Sequence, residues 1–380
     1  MNENCIIEGE AQITKYSTTF YNPAQKTNRD ISVAVIREYF KDKESIRVLD
    51  AMSATGLRGI RYSKEIKNTK LYFNDVSPHA VQCIKENLQK NGVHEIGEFS
   101  ENYEKIKDSE MRHNIIRSDC NRLMCSLTGF FDVIDIDPFG GCSLYIENAF
   151  RAIKHNGLLC FTCTDKGALC VNEDKCFVKY STTILKGFSK HETPLRVILS
   201  LISRQASKFG ISIEPLVSLS LDFYIRVFVR VRRNRPKDSI RTNSMFYLCK
   251  CSNSVEIGSI KKTDKEDKVK NVIETDNNLI NEILRSKLYL NDSDICSICN
   301  SKMKLCGPFW NTAMHKKEFV KALISHDLDA RSQGILKFLL HEIDKPFYYE
   351  MTTLCARTKF SCIKLKDILY GLENLSFNSS

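Results

Sequence analysis

The chain has 380 residues, 42% of them hydrophobic, and 56 basic against 46 acidic side chains leave a formal net charge of +10. This length suggests about two domains of ordinary globular composition, and the surplus of positive charge favours a polyanion as partner. The chain shows no apolar run near the roughly 18 residues that a membrane-spanning helix needs and no secretory leader, so its 16 cysteines are predicted to be reduced thiols of an intracellular protein.

Short apolar strands alternate with helical stretches between residues 46 and 165. The strand candidates all end on or near an acid, and they are IRVLDA (46–51), KLYFND (70–75), NIIRSD (114–119), FDVIDID (131–137) and GLLCFTCTD (157–165). Helical spacing appears in residues 56–66 and 79–92, and the second stretch closes on Asn91 and Gly92, a helix stop signal. This alternation predicts a doubly wound α/β domain with a parallel sheet.

The first strand leads through a turn of small residues, VLDAMSATGLRG (48–59), into a helix. Such a turn, here with Gly56, lets backbone approach a cofactor, although alone it is more often a simple strand–helix junction. Acids end three successive strands, at Asp50, Asp75 and Asp119. Helix capping explains any one of them more easily than all three. Since the pattern G-x-G-x-x-G is absent, the acids favour a nucleoside-bearing cofactor without a pyrophosphate, and S-adenosylmethionine is the common one.

The stretch VIDIDPFGG (133–141) turns sharply at the end of its strand. In open parallel sheets the ligand crevice lies at such carboxyl ends. An exocyclic base amine is a poor nucleophile, and Asp137 with the Pro138 carbonyl could accept both of its hydrogens, aim its lone pair and later take the proton. Phe139 could stack on the base, a contact worth about 1–3 kcal/mol. The stretch therefore predicts chemistry on a nucleobase amine.

A later strand, LDFYIRVFVRVRR (221–233), alternates strictly and has a basic face. Its arginines predict contacts to nucleic-acid phosphates, with burial against the first domain as the alternative. The arginines in this strand are Arg226, Arg230, Arg232 and Arg233, and Arg235 follows it. From residue 234 the composition becomes polar and charged, which predicts a domain boundary near residue 240.

Eight sequence blocks, in order, resemble the tRNA guanine-26 N2-dimethyltransferase family, which is more specific than any one motif. They are FYNPAQKTNRD (20–30), VLDAMSATGLRGIRYSKEI (48–66), NDVSPHAV (74–81), FDVIDIDPFG (131–140), TCTDKGALC (162–170), HETPLRVIL (191–199), SLSLDFYIRVFVRV (218–231) and GPFW (307–310). The resemblance implies a class I (Rossmann-like) methyltransferase domain, S-adenosylmethionine as methyl donor, and transfer of one or two methyl groups to N2 of guanine 26 in tRNA.

The resemblance also implies roles for individual residues. Phe20 and Phe139 would sandwich the guanine, with Asp137 and Pro138 acting on the amine. The predicted cofactor site comprises Arg29, Asp50, Gly56, Arg58, Asp75, Asp119 and Cys120. The alternative to these site roles is that Phe20 is ordinary core and that Arg29 and Arg58 are solvated surface residues or ion-pair partners.

Family members often carry four cysteines in two close pairs, and this chain has Cys249/Cys251 and Cys296/Cys299. Four such thiolates can hold one structural zinc ion. The tight first pair and the long insertion between the pairs leave a metal-free segment as an equal alternative.

The resulting prediction is a catalytic domain in residues 1–240 and a smaller α+β, tRNA-binding domain in residues 241–380. We expect a monomer that binds tRNA and no membrane, in the nucleus or cytoplasm. The alternatives are a methyltransferase of the same fold acting on another nucleobase amine, such as adenine in DNA, and a catalytically idle RNA-binding protein. The number of methyl groups added and the choice of tRNAs stay open.

Overall fold

The computed structural model describes residues 4–15, 19–233, 241–259 and 294–358. The strands, in chain order, are β1 Asn4–Glu8, β2 Ala11–Lys15, β3 Ile46–Asp50, β4 Thr69–Asp75, β5 Ile96–Ser100, β6 His113–Arg117, β7 Phe131–Ile136, β8 Ile153–Cys163, β9 Ile211–Leu221, β10 Tyr224–Arg233, β11 Asn243–Leu248, β12 Ser254–Ser259 and β13 Lys304–Trp310. The helices of the first part are α1 Lys26–Tyr39, α2 Leu57–Glu65, α3 Pro78–Lys90, α4 Tyr103–Asp108, α5 Cys120–Ser126, α6 Ile146–Ala152, α7 Lys166–Cys170, α8 Glu173–Tyr180 and α9 Thr193–Ser207. They are followed by α10 Lys317–Ile324, α11 Ala330–His341 and α12 Met351–Thr358.

The central sheet has the strand order β5-β6-β4-β3-β7-β8-β10-β9. Strands β3 to β8 run parallel, and β9 and β10 join them as an antiparallel hairpin. All five predicted strands and both predicted helices are confirmed. Strand β5 was missed, because its sequence IGEFS has weak apolar alternation and its residues are only half-buried or exposed. The parallel centre and the crossover helices make this a doubly wound α/β domain.

Helices cover both faces of the sheet, so its central strands are buried on two sides. In β8 the side chains of Cys160 and Cys163 join different core clusters, as expected for residues three apart on a strand. Helix α2 approaches β4 closely at Gly59, where a Cβ atom would come within 2.3 Å of the Phe73 ring. Ser77 caps α3, and the helix ends at the predicted stop, Asn91. The faces of the sheet are thus filled, and its edge is left to bind ligands.

The C-terminal part contributes a second, three-stranded sheet of order β12-β11-β13. Its side chains Phe246, Phe309 and Trp310 belong to the same apolar cluster as the helices α6 and α9. Phe347 packs on this cluster and contacts the rings of Phe246 and Phe309. The predicted boundary near residue 240 falls at residues 234–240, which lie outside the described residues. In the described ranges, every helix is too short or too polar to span a bilayer.

The basic face predicted for β10 is wrong at its most central residue. Arg226 is fully buried and donates to both carboxylate oxygens of Asp135, so it cannot contact phosphates. Arg230 and Arg232 are partly exposed and share the carboxylate of Glu214. Arg230 pairs in register with Leu158 in the middle of β8, and Arg233 donates to the Ile153 carbonyl at its start, so this end of β10 lies away from the carboxyl end of β8. Arg235 lies outside the described residues.

Candidate active site

The carboxyl ends of the parallel strands bring the predicted acids to one edge of the sheet. Asp50 pairs with Asp135 across β3 and β7, and Asp75 pairs with Arg117 across β4 and β6. Asp119 and Asp137 follow their strands directly. Parallel strands have their carboxyl ends at a common edge, which is where open α/β sheets bind ligands. The order of the strands therefore gathers side chains that are far apart in the sequence.

The turn between β3 and α2 is fixed to the end of β4. Asp75 Oδ2 accepts a hydrogen bond from the Ala54 N–H at 3.0 Å, and Oδ1 accepts one from the Ser77 N–H at 2.9 Å. Ala54 and Gly56 both have a left-handed backbone, with φ of 48° and 76°, which explains the glycine. Each carboxylate oxygen keeps a free lone pair, so half-buried Asp75 can still accept hydrogen bonds from ribose hydroxyls.

Asp119 is exposed and caps α5 by accepting from the Arg122 N–H at 3.0 Å. Two other residues of the predicted cofactor site are buried. Asp50 is 2% exposed and accepts from the Gly59 N–H at 3.1 Å, so its carboxylate anchors α2 instead of facing the open edge. Burial raises the pKa of Asp50 to about 7, and Arg58 only partly offsets it. Burial likewise raises the pKa of the Cys120 thiol to about 12, so that thiol is neutral and packs in the core.

Asp137 lies at the open edge in contact with Arg58. Its side chain is 23% exposed and receives a hydrogen bond from Arg58 Nη2. The following Pro138 is buried. Phe139 is 82% exposed and Phe20 is 53% exposed, although both are large apolar side chains. Their rings contact edge to face, with centroids 4.9 Å apart and an interplanar angle of 83°. The structure thus brings Phe20, Asp137 and Phe139 together, as predicted.

The loop that carries Phe139 is tied to the end of β8. Gly140 N–H donates to Thr164 Oγ1 at 2.9 Å, and Thr164 N–H donates back to the Gly140 carbonyl at 2.8 Å. A Cβ atom on Gly141 would come within 2.3 Å of the Tyr180 hydroxyl. The two glycines of VIDIDPFGG therefore permit a tight loop whose base is held while Phe139 projects into solvent.

Arg29 is buried and held by an acid that the sequence did not single out. Its Nε and Nη2 atoms donate to the two carboxylate oxygens of Glu8, each at 2.6 Å. Arg61 binds the same carboxylate at 2.8 Å. Burial raises the pKa of Glu8, but these two arginines outweigh it and lower the pKa. Glu8 lies on the hairpin β1–β2, so the hairpin fixes α1 against α2. Only the tertiary pairing reveals this role.

Arg58 is also buried, and its partners include a second residue that the sequence did not assign to the site. Its Nη1 lies 3.4 Å from Asp135 Oδ2. The signal was present in DIDP, because Asp135 on β7 and Asp137 just after it are two residues apart, which puts their side chains on the same side of an extended chain.

The four predicted cysteine ligands converge. The sulfur atoms of Cys249, Cys251, Cys296 and Cys299 all lie within 4.8 Å of one another. Cys249 and Cys299 are 3.4 Å apart, and Cys251 and Cys296 are 3.5 Å apart. Four sulfurs at about 2.3 Å from one zinc ion would be separated by about 3.8 Å. A donor set of four thiolates with this spacing fits a tetrahedral zinc site.

The fold and the open edge define the class of protein. The sheet has a parallel centre and an antiparallel hairpin after β8. A glycine turn follows β3, and the acids Asp75 and Asp119 lie at the ends of β4 and β6. Together these features define a class I S-adenosylmethionine-dependent methyltransferase domain. The model of the family TRM, N2,N2-dimethylguanosine tRNA methyltransferase, matches residues 2–380. The chain belongs to this family.

Individual relatives agree with this placement. The tRNA (guanine(26)-N(2))-dimethyltransferase of Caenorhabditis elegans is 30% identical over 99% of this chain and 75% of its own length. The protein of the same name from Pyrococcus abyssi is 31% identical over 99% of this chain and 92% of its own. A solved complex of Trm1 from Pyrococcus horikoshii with S-adenosyl-L-methionine is 25% identical, covers 98% of this chain and 92% of that one, and superposes with a TM-score of 0.78.

Proposed function

We propose that this chain transfers one or two methyl groups from S-adenosylmethionine to N2 of guanine 26 in tRNA, with Asp137 acting on the amine. The observation that carries the proposal is the grouping at one sheet edge of a partly exposed carboxylate, Asp137, and two exposed aromatic rings, Phe20 and Phe139. Two exposed aromatic rings in contact with each other, beside a carboxylate at the ligand-binding edge of the sheet, are typical of a binding site. Family membership makes tRNA the substrate.

The residues of the edge fit S-adenosylmethionine, which supplies an electrophilic sulfonium methyl group. Asp75 and Asp119 keep free acceptor lone pairs for hydroxyl groups. The turn that Asp75 holds has no side chain at Gly56, so backbone can approach the ligand closely. Buried Arg29 and Arg58 support this edge through Glu8, Asp135 and Asp137.

Asp137 and Pro138 prepare the amine. The carboxylate of Asp137 and the Pro138 carbonyl each accept one amine hydrogen, which draws the nitrogen lone pair out of the ring and aims it. As the nitrogen forms its new N–C bond, the bond between the donor's sulfonium sulfur and the methyl carbon would break and a neutral thioether would leave. The nitrogen then carries a surplus proton, which Asp137 accepts and releases to water. Since Asp137 is 23% exposed, solvent can reach the carboxylate for this release.

Phe20 and Phe139 bind the base. Their centroids are 4.9 Å apart, whereas a base stacked between two parallel rings needs about 7 Å, twice a van der Waals contact of roughly 3.5 Å. The rings must therefore separate and turn when the guanine enters. Removing a base from its stack costs a few kcal/mol, which stacking on the two rings offsets.

Residues 241–380 form the second domain in this proposal, and this domain binds tRNA. It also holds one structural zinc ion. The thiolates of Cys249, Cys251, Cys296 and Cys299 bridge two loops that have few core residues of their own. Metal binding supplies folding free energy to such small segments.

The test uses an unmodified tRNA transcript, labelled S-adenosylmethionine and nucleoside analysis after digestion. We expect N2-methylguanosine first and N2,N2-dimethylguanosine later, and no product from a transcript with adenosine at position 26. Methylation of adenine in DNA would support the first alternative function, and tRNA binding without methyl transfer would support the second.

The predicted location and oligomeric state need separate experiments. A relative in Saccharomyces cerevisiae is named mitochondrial, so imaging of the tagged protein tests the predicted nuclear or cytoplasmic location. Sedimentation tests the predicted monomer.

A further inference from the structure

A buried cluster of ion pairs lies behind Asp137, and its member Arg226 has no role in the proposed mechanism. The side chains of Arg226 on β10 and Asp135 on β7 are both 0% exposed. Arg226 Nη1 donates to Asp135 Oδ1 at 2.8 Å, and its Nη2 donates to Oδ2 at 2.6 Å. Arg58 bridges Asp135 and Asp137 with its two terminal nitrogens. A continuous chain of charges therefore runs from the centre of the sheet to the catalytic edge.

The cluster contains two positive and two negative groups, so its charges balance. Burial alone raises the pKa of Asp135, but the charges of Arg226 and Arg58 outweigh it and lower that pKa to about 2. The Tyr62 hydroxyl adds a further hydrogen bond to Asp135 Oδ2 at 2.5 Å. Two guanidinium groups thus face the two carboxylates of Asp135 and Asp137. Removing one partner of a buried ion pair leaves an uncompensated charge that the remaining groups must satisfy.

We propose that Asp135 and Arg226 are positioning residues, which hold Arg58 where its guanidinium orients the Asp137 carboxylate for methyl transfer. The inference rests on the proposed function of Asp137. With Arg226 in place, Asp135 accepts two short hydrogen bonds from Arg226 and one from Tyr62, and Arg58 lies at the longer distance of 3.4 Å. The other terminal nitrogen of Arg58 is then free to bind Asp137.

Loss of Arg226 should redirect Arg58. Asp135 is fully buried and cannot recruit water, whereas Asp137 is 23% exposed and can. The attraction between opposite charges is stronger in the low-dielectric interior than at the surface. Arg58 should therefore move towards Asp135 and release Asp137, whose carboxylate would then rotate among orientations that do not match the amine.

The first measurement compares Arg226→Gln and Arg226→Lys with wild type at saturating S-adenosylmethionine and tRNA. We expect Arg226→Gln to lower kcat by about ten- to hundredfold, the range of a hydrogen bond to a charged group, with KM for tRNA nearly unchanged. Arg226→Lys keeps the charge and should recover part of the loss. The matched control is Arg196→Lys, because Arg196 is also buried and ion-paired, but its partners are Glu192 and the carbonyls of Trp310 and Thr312 instead of Asp135.

Repeating each substitution in an Arg58→Lys background separates positioning from a general loss of stability. If Arg226 acts through Arg58, Arg226→Gln should add little to the loss of kcat that Arg58→Lys already causes. The control Arg196→Lys should change kcat by the same factor in the wild-type and the Arg58→Lys backgrounds. If Arg226→Gln instead lowered kcat by the same factor in both backgrounds, the proposal would be overturned.

A crystal structure of Arg226→Gln gives a readout that does not depend on activity. We expect Arg58 to lie against Asp135 and to have left Asp137. An intact contact between Arg58 and Asp137 in that variant would overturn the proposal, whatever the kinetics show. If wild type itself does not methylate tRNA, the proposed function fails, while the movement of Arg58 still tests the positioning.

Discussion

The rings of Phe20 and Phe139 contact each other edge to face at the open edge of the sheet, with their centroids 4.9 Å apart. The two residues are far apart in the sequence and lie in different loops. Their contact covers part of each ring when the base is absent. Guanine must replace this aromatic contact, which is worth about 0.5–1.5 kcal/mol, by stacking on both rings.

Truncation of one ring should therefore weaken capture of the base. We expect Phe139→Ala to lower kcat/KM for tRNA by about ten- to hundredfold, since base stacking is worth about 1–3 kcal/mol, with S-adenosylmethionine binding unchanged. Leu144→Ala is a suitable control because Leu144 is 77% exposed on the same loop region. Steady-state kinetics and calorimetric cofactor binding measure the two effects. Equal losses in both variants would contradict a specific stacking role.

Substitution of Asp137 tests the chemistry directly. Asp137→Ala should nearly abolish methyl transfer and preserve cofactor binding, because Arg58 keeps Asp135 as its ion-pair partner when Asp137 is lost. Asp137→Asn keeps an acceptor oxygen but loses charge and proton affinity, so it should retain only a small residual activity. Its second methylation should suffer differently from the first, since a monomethylated amine has a single hydrogen. Near-normal rates in Asp137→Ala would falsify the mechanism, and loss of cofactor binding in both variants would make Asp137 a structural residue.

The phosphate contacts that the catalytic domain makes are expected beside Phe139 and not on the basic end of β10. Exposed Lys175 and Lys186 lie on and near α8, whose Tyr180 packs against the loop that carries Phe139. We expect Lys175→Gln with Lys186→Gln to raise KM for tRNA several-fold and to reduce its dependence on salt. Arg230→Gln with Arg232→Gln removes the same charge at the other edge and should leave KM near wild type. Filter binding at two salt concentrations measures the affinity of each double variant for tRNA. A larger loss of affinity in the Arg230/Arg232 variant than in the Lys175/Lys186 variant would place tRNA on β10.

Buried Asp50 predicts a dependence of stability on pH. Its folded pKa of about 7 exceeds the unfolded value of about 3.9, so the native state binds the extra proton between these values. The free energy of unfolding therefore falls as pH rises from about 4 to about 7 and then levels off. Asp50→Asn cannot ionise, so its stability relative to wild type should rise by up to about 1.4 kcal/mol per pH unit over this range. Urea unfolding at pH 5, 6, 7 and 8 measures this difference, and a difference independent of pH would refute the assignment.

The cysteine cluster predicts one zinc ion per chain. Elemental analysis after purification in metal-free buffer should find it, and Cys251→Ser should lower both the zinc content and the Tm. Cys125→Ser is the control, because Cys125 is an exposed thiol outside the cluster. A folded and active wild-type preparation with much less than one zinc per chain would exclude the site.

Local sequence patterns predicted those features of this protein that depend on residues close together in the chain. The period of apolar residues defined five strands of the parallel sheet, and the ends of those strands defined the edge that binds ligands. The residue types in VIDIDPFGG identified Asp137 and Phe139, because a sharp turn after a buried strand exposes the side chains that follow it. The family blocks then added Phe20, which no periodicity distinguishes from an ordinary core residue.

Only the tertiary structure decided how the charged residues are paired. Sequence alternation placed Arg226, Arg230 and Arg232 on one face of β10, but alternation cannot say which face of a central strand meets an acid. The strand order put Arg226 beside Asp135, whose carboxylate is fully buried, while Glu8 reached Arg29 from a hairpin at the start of the chain. These pairs join residues distant in sequence, and the cost of an unpaired buried charge, which no local pattern records, selects the partners.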